Sequence, residues 1–289
     1  MTASTVAVEE VLERPLRGGA LRTFGAMMAR EVRVLRRQFV TFIARTLLQP
    51  LLTVFVFSYI LPKVGGGPMG ASASAGAAKG GVEFSTILVP GMIGMSIMMT
   101  GMMSVLFPLM MELGWTKEIT DRLLAPLPTW ALALQKIAAG AIQSLIAGIV
   151  VFPIVLFVHA PGHAPDIHIH NWPLLVAVMV IASIAAPAMG LFLGTLVDPQ
   201  KMMQLFGFIL MPAAMLGCIY YPWEALSAIR WLQYVVLINP FVYASEGLRS
   251  VLTPGLPHMS AWAFLPVLFG SMVLFCVLAA RTFTKRVLD

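Results

Sequence analysis

Four histidines, His159, His163, His168 and His170, share one short stretch and form the densest set of metal-ligand side chains in the sequence. Neutral imidazoles at that density suit Zn or Cu. The stretch, HAPGHAPDIHIHN, also carries Pro161 and Pro165, so no helix gathers the four rings on one face. It reads as a solvated polar loop, and no metal site is expected. A second set is the charged run GWTKEITDRLLAPLP, with Lys117, Glu118, Asp121 and Arg122 between two oily segments. A third is Glu246 and Arg249, which follow the break at Asn239-Pro240. Phosphate loops of the G-x-x-x-x-G-K-[ST] type, H-E-x-x-H and C-x-x-C are all missing. This chain therefore has no usual means of cradling ATP phosphates and no conventional catalytic centre.

The elements that hold these residues belong to a membrane protein. Of 289 residues, 59% are hydrophobic and 11% charged, and the mean hydropathy is +0.88. A water-soluble domain carries about a quarter charged residues. The net charge of +6 does not imply nucleic acid, because the basic residues bracket apolar runs. Cys218 and Cys276 both lie inside such runs and read as buried thiols. No short apolar run with a small-residue cleavage site opens the chain, so the first span is expected to be retained as an anchor.

The expected fold is an all-α membrane protein with one transmembrane domain over 1–289. Residues 1–20 form a cytosolic tail, and 21–39 an amphipathic helix lying in the membrane surface. On that helix Phe24, Met28, Val32 and Leu35 fall on one side, and Arg22, Arg30, Arg33, Arg36 and Arg37 on the other, toward anionic lipid headgroups. Six spans follow within 41–280, at about 41–61, 84–111, 130–158, 172–197, 205–220 and 261–280, and 281–289 is a basic cytosolic tail. Roughly 20 helical residues cross the hydrocarbon, and most of these segments are longer. Arg45, near the start of the first span, can snorkel to the interface. Of the 19 Lys and Arg residues, all but Lys63, Lys79, Arg230 and Arg249 fall on the side of the termini. That bias places both termini, and the charged run, in the cytosol.

Residues 221–258 are too polar for a span, carrying Glu224, Arg230, Glu246 and Arg249. Two short helices meeting at Asn239-Pro240 suit a re-entrant hairpin in the outer leaflet, whose broken backbone must be covered by protein. An aromatic belt and an outer gate are both compatible with it; as a gate it would use Asn239, Pro240, Tyr243, Glu246 and Arg249, with Glu246 pairing Arg249 or a neighbour. Met92, Met95, Met98, Met99, Met102 and Met103 on the second span read as helix packing, although a soft methionine surface also suits a varied apolar substrate.

As a helix, the charged run places Trp115, Ile119 and Leu123 on one apolar stripe, with Glu118 four residues before Arg122 in the favoured order for an ion pair. Pro126 and Pro128 then stop it. Such a helix can dock into a partner's groove or merely cap the spans.

The arrangement resembles the permease subunits of type-2 ABC exporters, which export drugs, lipids or polysaccharides. TKEITDRLLAPLP is similar to the family's charged loop after the second span, and INPFVYASEGLR, residues 238–249, to its Asn-Pro…Tyr…Glu…Leu-Arg segment. The resemblance covers nearly the whole chain; Ala125 departs from it, standing where the family often has Thr. It implies an inner-membrane machine of two permease copies, read here as a homodimer, and two separate ATP-binding subunits that carry the ATP and Mg. In it the 114–125 helix is a coupling helix: Trp115, Ile119 and Leu123 anchor it in the ATPase, and Lys117, Glu118, Asp121 and Arg122 make rim pairs. Asp198 and Lys201 would make a smaller contact. Two other readings stand beside it. An ion- or proton-coupled transporter would want titratable groups at membrane depth, where carboxylates are nearly absent. A membrane enzyme would want its histidine loop to be essential.

Overall fold

A computed structural model describes residues 19–60, 84–112, 129–158, 167–198, 201, 204 and 206–288. Among them there are helices and no strands. Helix α1 (Gly19–Arg37) is separated by the single residue Gln38 from α2 (Phe39–Val54), which continues in wider π-type turns over Phe55–Ile60. Then come α3 (Phe84–Met111), α4 (Thr129–Phe157) and α5 (Trp172–Leu196). Next, α6 (Phe206–Met215) begins with π-type turns and ends α-helical. A 3₁₀ turn at Trp223–Ala228 leads to α7 (Arg230–Val235), then α8 (Pro240–Leu252) and α9 (Ala261–Leu288).

Helices α3 and α5 are apolar around their whole circumference, and that decides their place. A helix with no polar face must be covered on all sides by protein or lipid. Here protein covers much of both: 67% of the most apolar window of α3 and 61% of that of α5 are buried, against 11% for α2 and 17% for α9. So α3 and α5 form the centre, and α2 and α9 turn their apolar surface outward, where lipid would meet it. One continuous core draws Val54, Leu88, Val151, Val178, Leu210, Phe241 and Phe264 from seven helices.

Between apolar helices in lipid, association depends on close packing of small residues. Gly190 of α5 lies directly on the Met102 carbonyl of α3, and Gly91 of α3 on the Ile219 carbonyl. A Cβ at either position would overlap backbone, which cannot swing aside.

Among the described residues, five helices are long and apolar enough to cross a membrane: Phe39–Phe57, Thr86–Met111, Thr129–Phe157, Trp172–Leu196 and Ala261–Arg286. The segment expected as a fifth of six spans, 205–220, behaves differently. Among the described residues, its continuous helix runs over Phe206–Met215. Beyond Leu216 the chain turns, and Cys218 takes a left-handed φ of 53° that ends any helix. The expected break at Asn239-Pro240 is where one helical run stops and α8 starts: the Asn239 side chain accepts from Phe241 N at 3.1 Å, and Pro240 occupies the first helical position.

The glycine contacts are testable. Gly190→Leu should destabilise the protein by about 1–3 kcal/mol, the usual cost of overpacking, read as a lower unfolding midpoint in detergent. Gly270→Leu on the open face of α9, where nothing lies within 4 Å of a Cβ, should leave the midpoint unchanged.

Candidate functional site

Near the ends of the helices expected to face outward, a buried ion pair organises the polypeptide. Glu246 and Arg249 are one turn apart on α8, both are fully buried, and they pair directly. Glu246 uses both oxygens: Oε1 also accepts from Trp223 N at 3.0 Å, and Oε2 from Met259 N at 3.0 Å. Arg249 Nη2 donates to the Cys218 carbonyl at 2.9 Å. Ser245 Oγ donates to the neighbouring Gly217 carbonyl at 2.6 Å. Three irregular segments, at residues 217–218, 223 and 259, are thus sewn to one helix. The left-handed Cys218 persists because its carbonyl and that of Gly217 are both fixed by α8.

The other expected outer residues belong to the same assembly. Asn239 caps α8 and its Nδ2 donates to Ala213 O, while Tyr243 Oη donates to Leu237 O at 2.6 Å. The backbone N–H groups of His168 and His170 donate to Leu252 O and Val251 O at 3.2 and 3.3 Å, so this part of the histidine loop is tied to the end of α8. His159 and His163 lie outside the described residues, and among those described no group of three or more His, Cys, Asp or Glu could hold a metal. Trp231 and Tyr234 are largely exposed, whereas Tyr220 packs its ring 5.7 Å from that of Phe57.

At the opposite end of the bundle, polar contacts join helix ends. Lys136 Nζ of α4 meets Glu112 Oε2, just past α3, at 2.6 Å. Thr129 and Thr284 hydroxyls lie 3.2 Å apart, Thr195 and Thr282 2.7 Å. Arg286 Nη2 of α9 reaches Asp198 Oδ1 at 2.8 Å. Asp198 also accepts from Lys201 N through its carbonyl, and Lys201 is exposed. Residues expected to couple to a partner, Trp115, Lys117, Glu118, Ile119, Asp121, Arg122 and Leu123, lie outside the described residues. The two helices that flank them, α3 and α4, are joined by the Glu112–Lys136 pair. Nothing in the sequence spacing announces that pair, because Glu112 and Lys136 stand 24 residues apart.

Arg22, Arg30, Arg33, Arg36 and Arg37 are all exposed on α1, while Phe24, Met27 and Met28 are half-buried. Between α2, α3 and α4 runs a cleft of about 310 Å³ lined by Arg45, Gln49, Met95, Met99 and Gln143. It adjoins a second cavity of about 500 Å³ reaching Glu31, Glu112 and Lys136. Arg45 lines both, with its guanidinium carbon 5.8 Å above the Phe107 ring. Arg45 is exposed near the start of α2, and its head also lies against α3.

The described residues form a bundle of apolar helices around a lined cleft, an arrangement that a membrane transport protein can use. The chain belongs to the ABC-2 type transporter family, whose model matches residues 22–253. Among relatives, the inner membrane transport permease YadH of Escherichia coli K12 is 23% identical over 240 residues, covering 80% of this chain and 86% of YadH. The Shigella flexneri protein of the same description matches equally. No solved structure gives a significant match.

The buried pair makes a double-substitution prediction. Glu246→Leu alone leaves an unpaired guanidinium in the core and should cost about 3–5 kcal/mol. Glu246→Leu with Arg249→Met removes both charges and should recover much of that loss. Unfolding midpoints in detergent for the two singles and the double would measure the coupling.

Proposed function

We propose that this chain is the membrane subunit of an ATP-driven exporter of the bacterial inner membrane. It works as a homodimer with two separate ATP-binding subunits and forms the pathway for the cargo. Both termini face the cytosol, a reading that the distribution of basic residues supports. The amphipathic stretch 114–125 docks on the ATP-binding subunit: Trp115, Ile119 and Leu123 enter its groove, and Lys117, Glu118, Asp121 and Arg122 fix the register. Asp198 and Lys201 add a smaller contact. Residues 221–258 form the re-entrant hairpin on the outer side, where α8 and its Glu246–Arg249 pair serve the outer gate, and the arginines of α1 rest on lipid headgroups.

The observation that carries this reading is membership of the ABC-2 family over residues 22–253. The geometry supports it mechanically. A docking element transmits force only if its two flanking helices move together, and Glu112–Lys136 links α3 and α4 beside it. Closure of the ATP-binding subunits would then act on a joined helix pair and shift the balance between inward- and outward-open forms. A proton-coupled mechanism finds less support. The two buried carboxylates among the described residues, Glu112 and Glu246, are both held in ion pairs.

The docking role is tested by Trp115→Ala with Ile119→Ala. Co-purification with the ATP-binding subunit should fall at least tenfold, the scale expected when two buried anchors are truncated, while membrane insertion is unchanged. Wild-type capture and transport by the double variant would remove the role.

A further inference from the structure

The cleft between α2, α3 and α4 contains an unusual combination. Its upper chamber, about 310 Å³, has soft walls from Met95, Met99 and Met103. Arg45 is the sole charged residue lining that chamber among the described residues. Its guanidinium lies over Phe107, yet no described carboxylate pairs with it, and its in-plane N–H groups make no hydrogen bond to another described residue. One turn along α2 is Gln49 and across the cleft is Gln143, both with side-chain amides that bond to no described residue. Carboxylates do line the adjoining chamber: Glu112, already paired with Lys136, and Glu31, which is not within ion-pair distance of Arg45.

We propose that this cleft binds an amphipathic anion, with a single carboxylate or phosphate head at Arg45 and an apolar body along the methionines. Arg45 sits near the start of the first span with its side chain exposed to the cleft, and a cation so placed attracts an anionic head. The Phe107 ring covers one face of the guanidinium and leaves its edge free, and that edge carries the paired donors that match a carboxylate or phosphate. The Gln49 and Gln143 amides supply further donors to such a head. Methionine side chains adapt to apolar bodies of varied shape, and a mostly apolar pocket with a few placed polar groups is the usual form of a small-molecule site. The inference rests on the reading of the chain as an exporter permease, since it names the class of cargo that the pathway would accept.

The test uses the full chain in phosphatidylcholine nanodiscs, without an ATPase. The probes are 11-(dansylamino)undecanoate and the matching uncharged alcohol, followed by fluorescence. The wild type should prefer the carboxylate by about tenfold, the scale of one charge-assisted pair. R45Q should lose that preference while its unfolding midpoint is unchanged, and R45K should keep part of it. Phosphatidate added to the disc distinguishes the source of the head: displacement of the probe identifies a bilayer lipid, and no displacement identifies a free amphiphile. Equal affinity for carboxylate and alcohol in the wild type, or an unaltered preference in R45Q, overturns the proposal. Because no partner is present, this result is independent of ATPase capture.

Discussion

A carboxylate and a guanidinium cannot enter an apolar core unless they enter together. Removing each from water costs several kcal/mol even after relaxation, and their attraction offsets this only when the remaining donors and acceptors are also occupied. In this protein most of them meet backbone groups, Trp223 N and Met259 N on Glu246 and Cys218 O on Arg249, while buried Arg249 Nε finds no partner among the described residues. The pair is therefore a constraint on chain path more than a source of stability. Segments far apart in sequence must converge on one turn of α8, or the charges are left unpaired.

That constraint explains why non-helical backbone is tolerated among apolar helices. Lipid offers no hydrogen bonds, so irregular chain must be satisfied by protein. The carbonyls of Gly217 and Cys218, and the N–H groups of Trp223 and Met259, find side-chain partners on α8. Helix α8 can supply them because it is buried along nearly its whole length, packed against α3, α5 and α9. The pair thus depends on the glycine-mediated core, and the loops around the pair depend on it in turn.

Much of this was legible in the sequence, and the parts that were not have a common cause. Apolar length marks α2, α3, α4, α5 and α9 because hydropathy is local, and the Asn239-Pro240 break is visible because proline acts on its own backbone. Segment 205–220 has the composition of a span, but the turn at its end, Gly217–Cys218, is held by Arg249 and Ser245, some thirty residues later, which composition does not announce. Glu246 and Arg249 were legible as a pair by their spacing, but their complete burial was not, since charged residues in a polar stretch suggest a wet surface. Glu112–Lys136 and Asp198–Arg286 join residues distant in sequence, and no spacing rule announces them. Arg45 was visible as a charge in a span; that it turns onto Phe107 depends on how α2 packs against α3.

The two ends of the bundle are held by unequal means, and the inequality bears on which end yields first. At the α8 end the ion pair is fully buried and multiply bonded, so separating its partners would strand charge in the core at about 3–5 kcal/mol. At the opposite end Asp198–Arg286 is about half exposed, and such pairs contribute about 0–1 kcal/mol because water replaces each partner. Lys136–Glu112 is intermediate, small in exposure but close to the helix ends. Helix α2, with little of its surface buried, is bound to the core least of the long helices and forms one wall of the cleft. Among the ion pairs of the described residues, the more exposed therefore lie at the end opposite α8.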